Sequence, residues 1–419
     1  MAEIDLDRTS LFEPAVLEDP FAYYQAAIAV RPVMVLPGTN ITLVSAYDLL
    51  AEATGRIDVF SNDFGAVLAG TRSADPDVVA ELAKGWPQRD TLLTADPPVH
   101  TRFRKLVNLA FSMKRVDMIE ADIRAIVDQL VNDFPTNGRI DFVKDFAVPL
   151  PVAVIASQIG IARAGRTISA AEIATVKRWS DAFADRLGGM IAKDRELECA
   201  REIVEFQHAM KTQIDARRAA PTEDLLSDLV HARIEGEQSL DDAEILSILQ
   251  QLMVAGNETT TATLAGGLLL LIQNLEEQAK VRADRTLIPN MVEEILRLES
   301  PTAGLWRVVK TDAELGGVLV PGGSMMMLRF AAANRDPARF ADPDRFDVTR
   351  KNARSHLAFG RGIHMCVGNM LSRKELAVAF DILLERLKRV DLAPDADLRH
   401  IPNMLLRGLK RLDIIVERT

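Results

Sequence analysis

The stretch Phe359-Gly-Arg-Gly-Ile-His-Met-Cys-Val-Gly368 constrains this chain more than any other. Glycines at 360, 362 and 368 bracket Cys366, and a helix-forming run, Asn369 to Leu384, follows it. Glycine lets the backbone turn tightly and come close to a flat ligand. The sulfur is therefore expected at a helix N-terminus, where free N–H groups and the helix dipole favour the thiolate, the form that ligates metals. Phe359 offers an apolar wall beside it. A lone cysteine is ordinarily a small buried hydrophobe, but these flanking residues argue otherwise. Zinc is a poor fit, because the one other cysteine is Cys199, and one Cys with one nearby His falls short of four ligands. No C-x-x-C pair suggests thiol-disulfide chemistry.

A second motif lies in the periodic segment that starts near Asp241, where Ser239 is the expected N-cap with Asp242 three residues on. Well inside it comes Ala255-Gly-Asn-Glu-Thr-Thr260. Gly256 removes a side chain, so a ligand could approach the backbone. Thr259 can bond the carbonyl four residues back and leave a groove for water or dioxygen, and Glu258 can relay protons from solvent. Glycine and threonine in a buried helix also suit plain tight packing, so this motif alone leaves both readings open. A third motif, Glu294-Ile-Leu-Arg297, sets a carboxylate and a guanidinium one helical turn apart, in register for an ion pair.

Together these stretches resemble the cytochrome P450 family. The first fits the cysteine-ligand loop F-G-x-G-x-H-x-C-x-G at every fixed position, and the second fits [AG]-G-x-[DE]-T-[ST]. The third is similar to the family's E-x-x-R, and Pro343-Asp-Arg-Phe346 to its P-x-R-F segment. The resemblance runs at motif level from the Asp96 region to the C-terminus, and the N-terminal hairpin agrees in outline. It implies a mainly α fold with small β sheets, and haem b held between a distal helix from Asp241 and a proximal helix from Asn369. Cys366 would then be the metal ligand, with Gly256, Phe359, Gly360 and Gly368 against the cofactor. His100, Arg104, Arg307 and His364 would meet its propionates. Glu258 and Thr259 would be the catalytic pair, and Glu294, Arg297 and Arg345 a buried structural triad. The reaction implied inserts one oxygen atom from O2 into a small apolar organic substrate. Electrons would come from NAD(P)H through an acidic iron-sulfur ferredoxin and its reductase. The other readings are a haem-thiolate peroxygenase or isomerase, and a non-catalytic haem-binding sensor.

With 419 residues, 48% of them hydrophobic, the chain can bury a large core. No Gly/Ser, Pro or like-charge stretch marks a linker, so one domain over 1–419 is expected, with a β-containing part at about 30–60, a helical core at about 90–300 and the cysteine loop at 359–368. A chain of that length is not expected to carry a fused flavin reductase. The acidic opening Met1 to Asp7 lacks a signal-like pattern, which with two cysteines suggests a cytoplasmic protein; Thr259 to Leu275 is too polar and short for a membrane anchor, and a monomer is expected. The net charge of −10 argues against nucleic acid. Two windows are nevertheless purely basic, Pro98 to Arg115 and Arg350 to Lys374. Arg102, Lys105, Arg361 and Lys374 are expected to form a positive patch near the sulfur that steers the ferredoxin.

Pro32 to Val44 reads as a hairpin around Pro37-Gly-Thr-Asn40. Val116 to Phe134, Ala171 to Leu187, Glu196 to Arg218 and Asp241 to Gln273 carry helical periodicity. Gly-rich turns between Gly316 and Phe330 suggest short strands. Asp58 to Pro98 reads as a long loop with short helical turns, a common form for a lid. Candidate substrate contacts are Phe64, Val67 and Leu68 in that loop, Leu252 and Ala255 on the long helix, Thr302 and Leu305, and Met404 with Leu405.

Overall fold

The computed structural model describes residues 4–65, 75–162, 168–188 and 191–419. Val67 and Leu68 lie outside them. The helices are α1 (Pro14–Glu18), α2 (Phe21–Val30), α3 (Tyr47–Gly55), α4 (Pro76–Leu82), α5 (Val99–Ala110), α6 (Met113–Met118), α7 (Glu120–Asn132) and α8 (Pro149–Gln158). They continue as α9 (Ala170–Gly188), α10 (Lys193–Ala219), α11 (Leu225–His231), α12 (Asp242–Gln273), α13 (Leu275–Ala283), α14 (Ile288–Glu299), α15 (Phe330–Ala333) and α16 (Asn369–Arg386). The strands are β1 (Val33–Val35), β2 (Ile41–Val44), β3 (Phe60–Ser61), β4 (Asn137–Asp141), β5 (Leu305–Val309), β6 (Ala313–Leu315), β7 (Val318–Val320), β8 (Met325–Leu328), β9 (Leu387–Leu392) and β10 (Asp413–Arg418).

The hairpin forms as read, with Val33 opposite Val44. It does not stand alone: β2 runs parallel to β8, and the sheet order is β1-β2-β8-β5-β3. A three-stranded sheet, β4-β10-β9, ties the C-terminus to the segment after α7. The expected helix over Val116 to Phe134 is instead two, α6 and α7, meeting at Ile119. Ser112 caps the first through the Arg115 N–H, and Glu120 and Asp122 place negative charge in the first turn of the second.

The N-cap of α12 is Asp241, not Ser239. Asp241 accepts the Glu244 N–H while Glu244 accepts the Asp241 N–H, a reciprocal capping box. The Ser239 carbonyl serves Arg102 instead. Along its length α12 changes core. Ile245, Leu249 and Leu252 to Val254 pack with α5, α8, α9, α10 and α11, whereas Leu264, Leu268 and Leu271 pack with α7, α14, α16 and the three-stranded sheet. The motif Ala255 to Thr260 lies between the two.

Arg297 on α14 has no solvent exposure and forks onto Glu294 at 2.7 and 2.8 Å. The third member of this network is Arg350, whose Nε lies 2.9 Å from Glu294 Oε1, and not Arg345. The Arg345 side chain is exposed; only its carbonyl takes part, accepting from Arg297 and Arg350. The chain turns at Asp342, with φ 46°, and Arg350 is the residue that comes back to the carboxylate. Glu294→Ala should cost about 3–5 kcal/mol in urea or thermal unfolding, since it strands two buried cations. Arg350→Ala should also be strongly destabilising, and Arg345→Ala should stay within about 0.5 kcal/mol. Equal losses at 345 and 350 would contradict this assignment.

Candidate active site

Cys366 sits in a short reversed turn. Its N–H donates to the Phe359 carbonyl at 2.8 Å, and a single 3-10 turn, Gly362–His364, fills the space between. Gly360 and Gly362 have φ of 67° and 74°, a region costly for other residues. A Cβ on Gly362 would also stand 3.0 Å from the Thr54 carbonyl. Three residues after the cysteine α16 begins. Burial pushes the Cys366 thiol up, opposed by the Gly368 N–H, Arg104 and Arg373. A metal cation bound there would reverse that balance and hold the thiolate.

Four groups near this loop share one property: no carboxylate hydrogen-bonds to any of them among the described residues. Arg307 is 3% exposed and bonds the Trp306 carbonyl, but no carboxylate among the described residues hydrogen-bonds to it. Burial pulls its pKa down to about 10. His100 on α5 and His364 have ring centroids 4.1 Å apart, and the Nε2 of each is buried without a partner. Burial, then His100 and Arg307, depress His364 to about 3, and its Nδ1 donates to the Leu92 carbonyl at 3.2 Å, so its Nε2 becomes a donor only when the ring is protonated, as a carboxylate beside it would favour. Arg104, also on α5, bonds the Met365 carbonyl at 2.7 Å. A buried set of donors without acid partners suits an anionic guest.

The Ala255–Thr260 motif lies inside α12. Thr259 Oγ1 donates to the Ala255 carbonyl at 2.8 Å, and Thr263 Oγ1 to the Thr259 carbonyl at 2.8 Å. Ala255 is exposed and Gly256, Glu258 and Thr259 are half-buried within a helix otherwise packed inside the protein. A Cβ on Gly256 would meet nothing within 4 Å, so that face is open. Glu258 is held by Lys177 of α9, Nζ to Oε1 at 3.0 Å, and Lys177 is bonded in turn to Asp181. Burial opposes the charge of Lys177, yet Glu258 and Asp181 together raise its pKa. No sequence signal marks Lys177, because only the packing of α9 on α12 brings it there.

The pocket candidates are joined in part. Ala303 N donates to the Leu405 carbonyl at 2.7 Å, and Thr302 bridges Leu406, so Thr302, Leu305, Met404 and Leu405 border one junction. Leu252 is buried in the α5–α12 core, and Phe64 is buried in the loop before the undescribed stretch. That loop is clasped from α10: Gln207 accepts the Trp86 N–H at 2.8 Å and donates to the Trp86 carbonyl at 3.0 Å. The free positive patch is reduced. Arg102 pairs with Glu244, Lys105 with Glu237, and Lys374 with Glu120 and Asp117, which leaves Arg361 exposed without an ion pair among the described residues.

The cytochrome P450 profile matches residues 166–416. The chain is 36% identical over 405 residues to the cytochrome P450 monooxygenase PikC of Streptomyces venezuelae, covering 94% of this chain and 91% of that one. The chain belongs to the cytochrome P450 family. It is also 34% identical to a steroid C26-monooxygenase of Mycobacterium tuberculosis over 90% of this chain and 95% of that one. The solved structure of cytochrome P450 CYP109Q5 from Chondromyces apiculatus superposes with a TM-score of 0.85 at 31% identity, covering 99% of this chain and all of the other. The enzyme is therefore a P450 monooxygenase, and its cofactor is haem b.

The residues present fit that group. Cys366 offers the sulfur, Arg104, Arg307 and the His100 Nε2 offer donors for two carboxylates, with His364 a further donor once a carboxylate protonates it, and the open Gly256 face offers room for a flat ring. Purified protein should give a reduced carbon monoxide complex with the red-shifted Soret band of thiolate ligation. Cys366→Ala should lose that band; a variant that keeps it would show the ligand to lie elsewhere.

Proposed function

We propose that this P450 hydroxylates a small apolar organic molecule, with Glu258 and Thr259 managing the protons and a ferredoxin supplying the electrons. When bound, haem b supplies dioxygen activation, and a thiolate ligand favours O–O cleavage. The chain's own part begins with Cys366, held just before the N-terminal end of α16 by its N–H bond to the Phe359 carbonyl. Arg104, Arg307, His100 and His364 fix the cofactor's acidic edge. Thr259 Oγ donates to the Ala255 carbonyl, so its oxygen is left as an acceptor facing the open side of α12. It can hold a water whose proton is replaced through Glu258, which reaches solvent by way of Lys177 and Asp181, the last being 42% exposed. This Glu258–Thr259 pair is the observation that carries the dioxygen-dependent reading over a peroxygenase or an isomerase.

For the substrate class the support is the apolar character of Leu252, Leu305 and Met404, each packed in a different hydrophobic cluster of the fold. Both cysteines are free and no helix among the described residues is long and apolar enough to cross a membrane, which supports a cytoplasmic location. For the electron donor, a groove of about 420 Å³ runs beside the cysteine loop, lined by Met113, Val116, Arg124, Met370, Arg373 and Lys374 among others. Its floor is apolar and its rim mixed, Arg124, Arg285, Arg373 and Lys374 standing against Asp117, Glu120 and Asp381, which leaves a small positive excess to meet an acidic ferredoxin.

Two measurements test this reading. Thr259→Ala should keep consuming oxygen and NADH while peroxide replaces product, by an order of magnitude or so in coupling if proton delivery contributes about 10²-fold. Unchanged product per NADH would remove Thr259 from the relay. Haem reduction by ferredoxin should slow as salt rises beyond about 0.1 M, where the screening length is about 10 Å. Charge reversal at Arg124 should slow it further at low salt without altering substrate affinity. Rates indifferent to both would move the docking site off this groove.

A further inference from the structure

The cysteine turn is held at both ends by one carboxylate that belongs to none of the motifs. Glu293 on α14 is buried, and Arg373 of α16 forks onto it, Nε to Oε1 at 2.7 Å and Nη2 to Oε2 at 3.2 Å. His356, itself buried, lies with Nε2 2.9 Å from Glu293 Oε2. Its Nδ1 accepts the Ala358 N–H at 3.1 Å, so the ring is neutral and donates through Nε2. One arm therefore runs from Glu293 through His356 to the backbone at Ala358, next to Phe359. The other runs from Glu293 through Arg373, whose Nη1 donates to Asn369 Oδ1 at 2.6 Å, and on through Asn369 Nδ2 to the Cys366 carbonyl at 2.7 Å. Arg373 also stands 4.5 Å over the Phe359 ring, and Phe359 in turn accepts the Cys366 N–H.

We propose that Glu293, acting through Arg373 and His356, is the positioning residue that sets the height and electrostatic surroundings of the Cys366 sulfur. Both backbone neighbours of the ligand, its N–H through Phe359 and its C=O through Asn369, answer to this one carboxylate. Glu293 is one residue from Glu294, yet the two serve different segments: Glu294 holds the chain around 345–350, and Glu293 holds the turn at 356–369. Arg373 also lines the groove beside the loop, so this arm connects that surface to the ligand. The cluster is already neutralised within itself: Glu293 is pulled down to about 2 by its bonds to His356 and Arg373, against the effect of burial. A bare solvated ion pair would have none of these onward bonds.

The test uses the haem-loaded protein and reads the iron, not turnover. Arg373→Gln keeps a hydrogen-bonding side chain but removes the cation near the sulfur and the fork onto Glu293. Its ferric–ferrous potential should move negative, because a lost positive charge favours the ferric state. The share of carbon monoxide complex lacking the thiolate band should rise severalfold. Arg373→Lys, which keeps the charge but not the fork, should restore much of the potential and less of the band. Glu293→Gln should raise the non-thiolate share as well, and if it fails to load haem the Arg373 pair still decides. Arg354→Gln is the control: its guanidinium is 74% exposed and 3.9 Å from Glu293, so neither readout should move. A folded, haem-loaded Arg373→Gln with unchanged potential and band share would overturn the proposal. Since the family's thiolate band in wild type is the reference, a failure of the haem-thiolate reading itself would show first in the wild-type spectrum.

Discussion

Arg297 has five N–H donors and five bonds. Nε and Nη2 reach the two oxygens of Glu294, and the remaining donors reach the carbonyls of Asn334, Pro343 and Arg345, while Arg297 itself has no solvent exposure. A buried guanidinium is tolerable in an apolar interior only when every donor is answered. Here three of the answers come from the irregular segment between α15 and the cysteine turn. That segment contains no regular element long enough to fix itself, so its course is set by this side chain. The cysteine turn begins where that segment ends.

The long helix α12 solves a related difficulty. A helix buried along its whole length would normally be apolar all round. This one is apolar in two stretches that belong to different cores, with a glycine and several threonines between them. Each end is anchored independently, so the middle can carry polar groups and an open face without loosening the helix. The back-bonded hydroxyls of Thr259 and Thr263 keep that middle internally satisfied.

What could be read from sequence follows physical range. The cysteine turn was legible because its determinants, glycines with positive φ and a ligand before a helix, are local. The Glu294–Arg297 pair was legible for the same reason, being one helical turn apart. Arg350 was mistaken for Arg345 because only the turn at Asp342 decides which of two nearby arginines comes back to the carboxylate. Asp241 displaced Ser239 as cap because the reciprocal bond with Glu244 outweighs a lone serine, whose carbonyl Arg102 takes. The ion pairs on Arg102, Lys105 and Lys374 were invisible: counting charge in a window cannot show acids brought in from other helices. Lys177 and Glu293 escaped for that reason too.

The parallel pairing of β2 with β8 has a consequence for how the protein is made. Ile41 lies opposite Met325, so the second strand to emerge must wait for one nearly three hundred residues later. At about 5–20 residues per second on the ribosome, that interval is roughly 15 to 60 s. During it the β1–β2 hairpin presents an unpaired edge of Ile41, Thr42, Leu43 and Val44, residues that favour further strand addition. The edge that completes the sheet in the finished enzyme is thus, in the growing chain, a place where two nascent copies on neighbouring ribosomes could pair with each other.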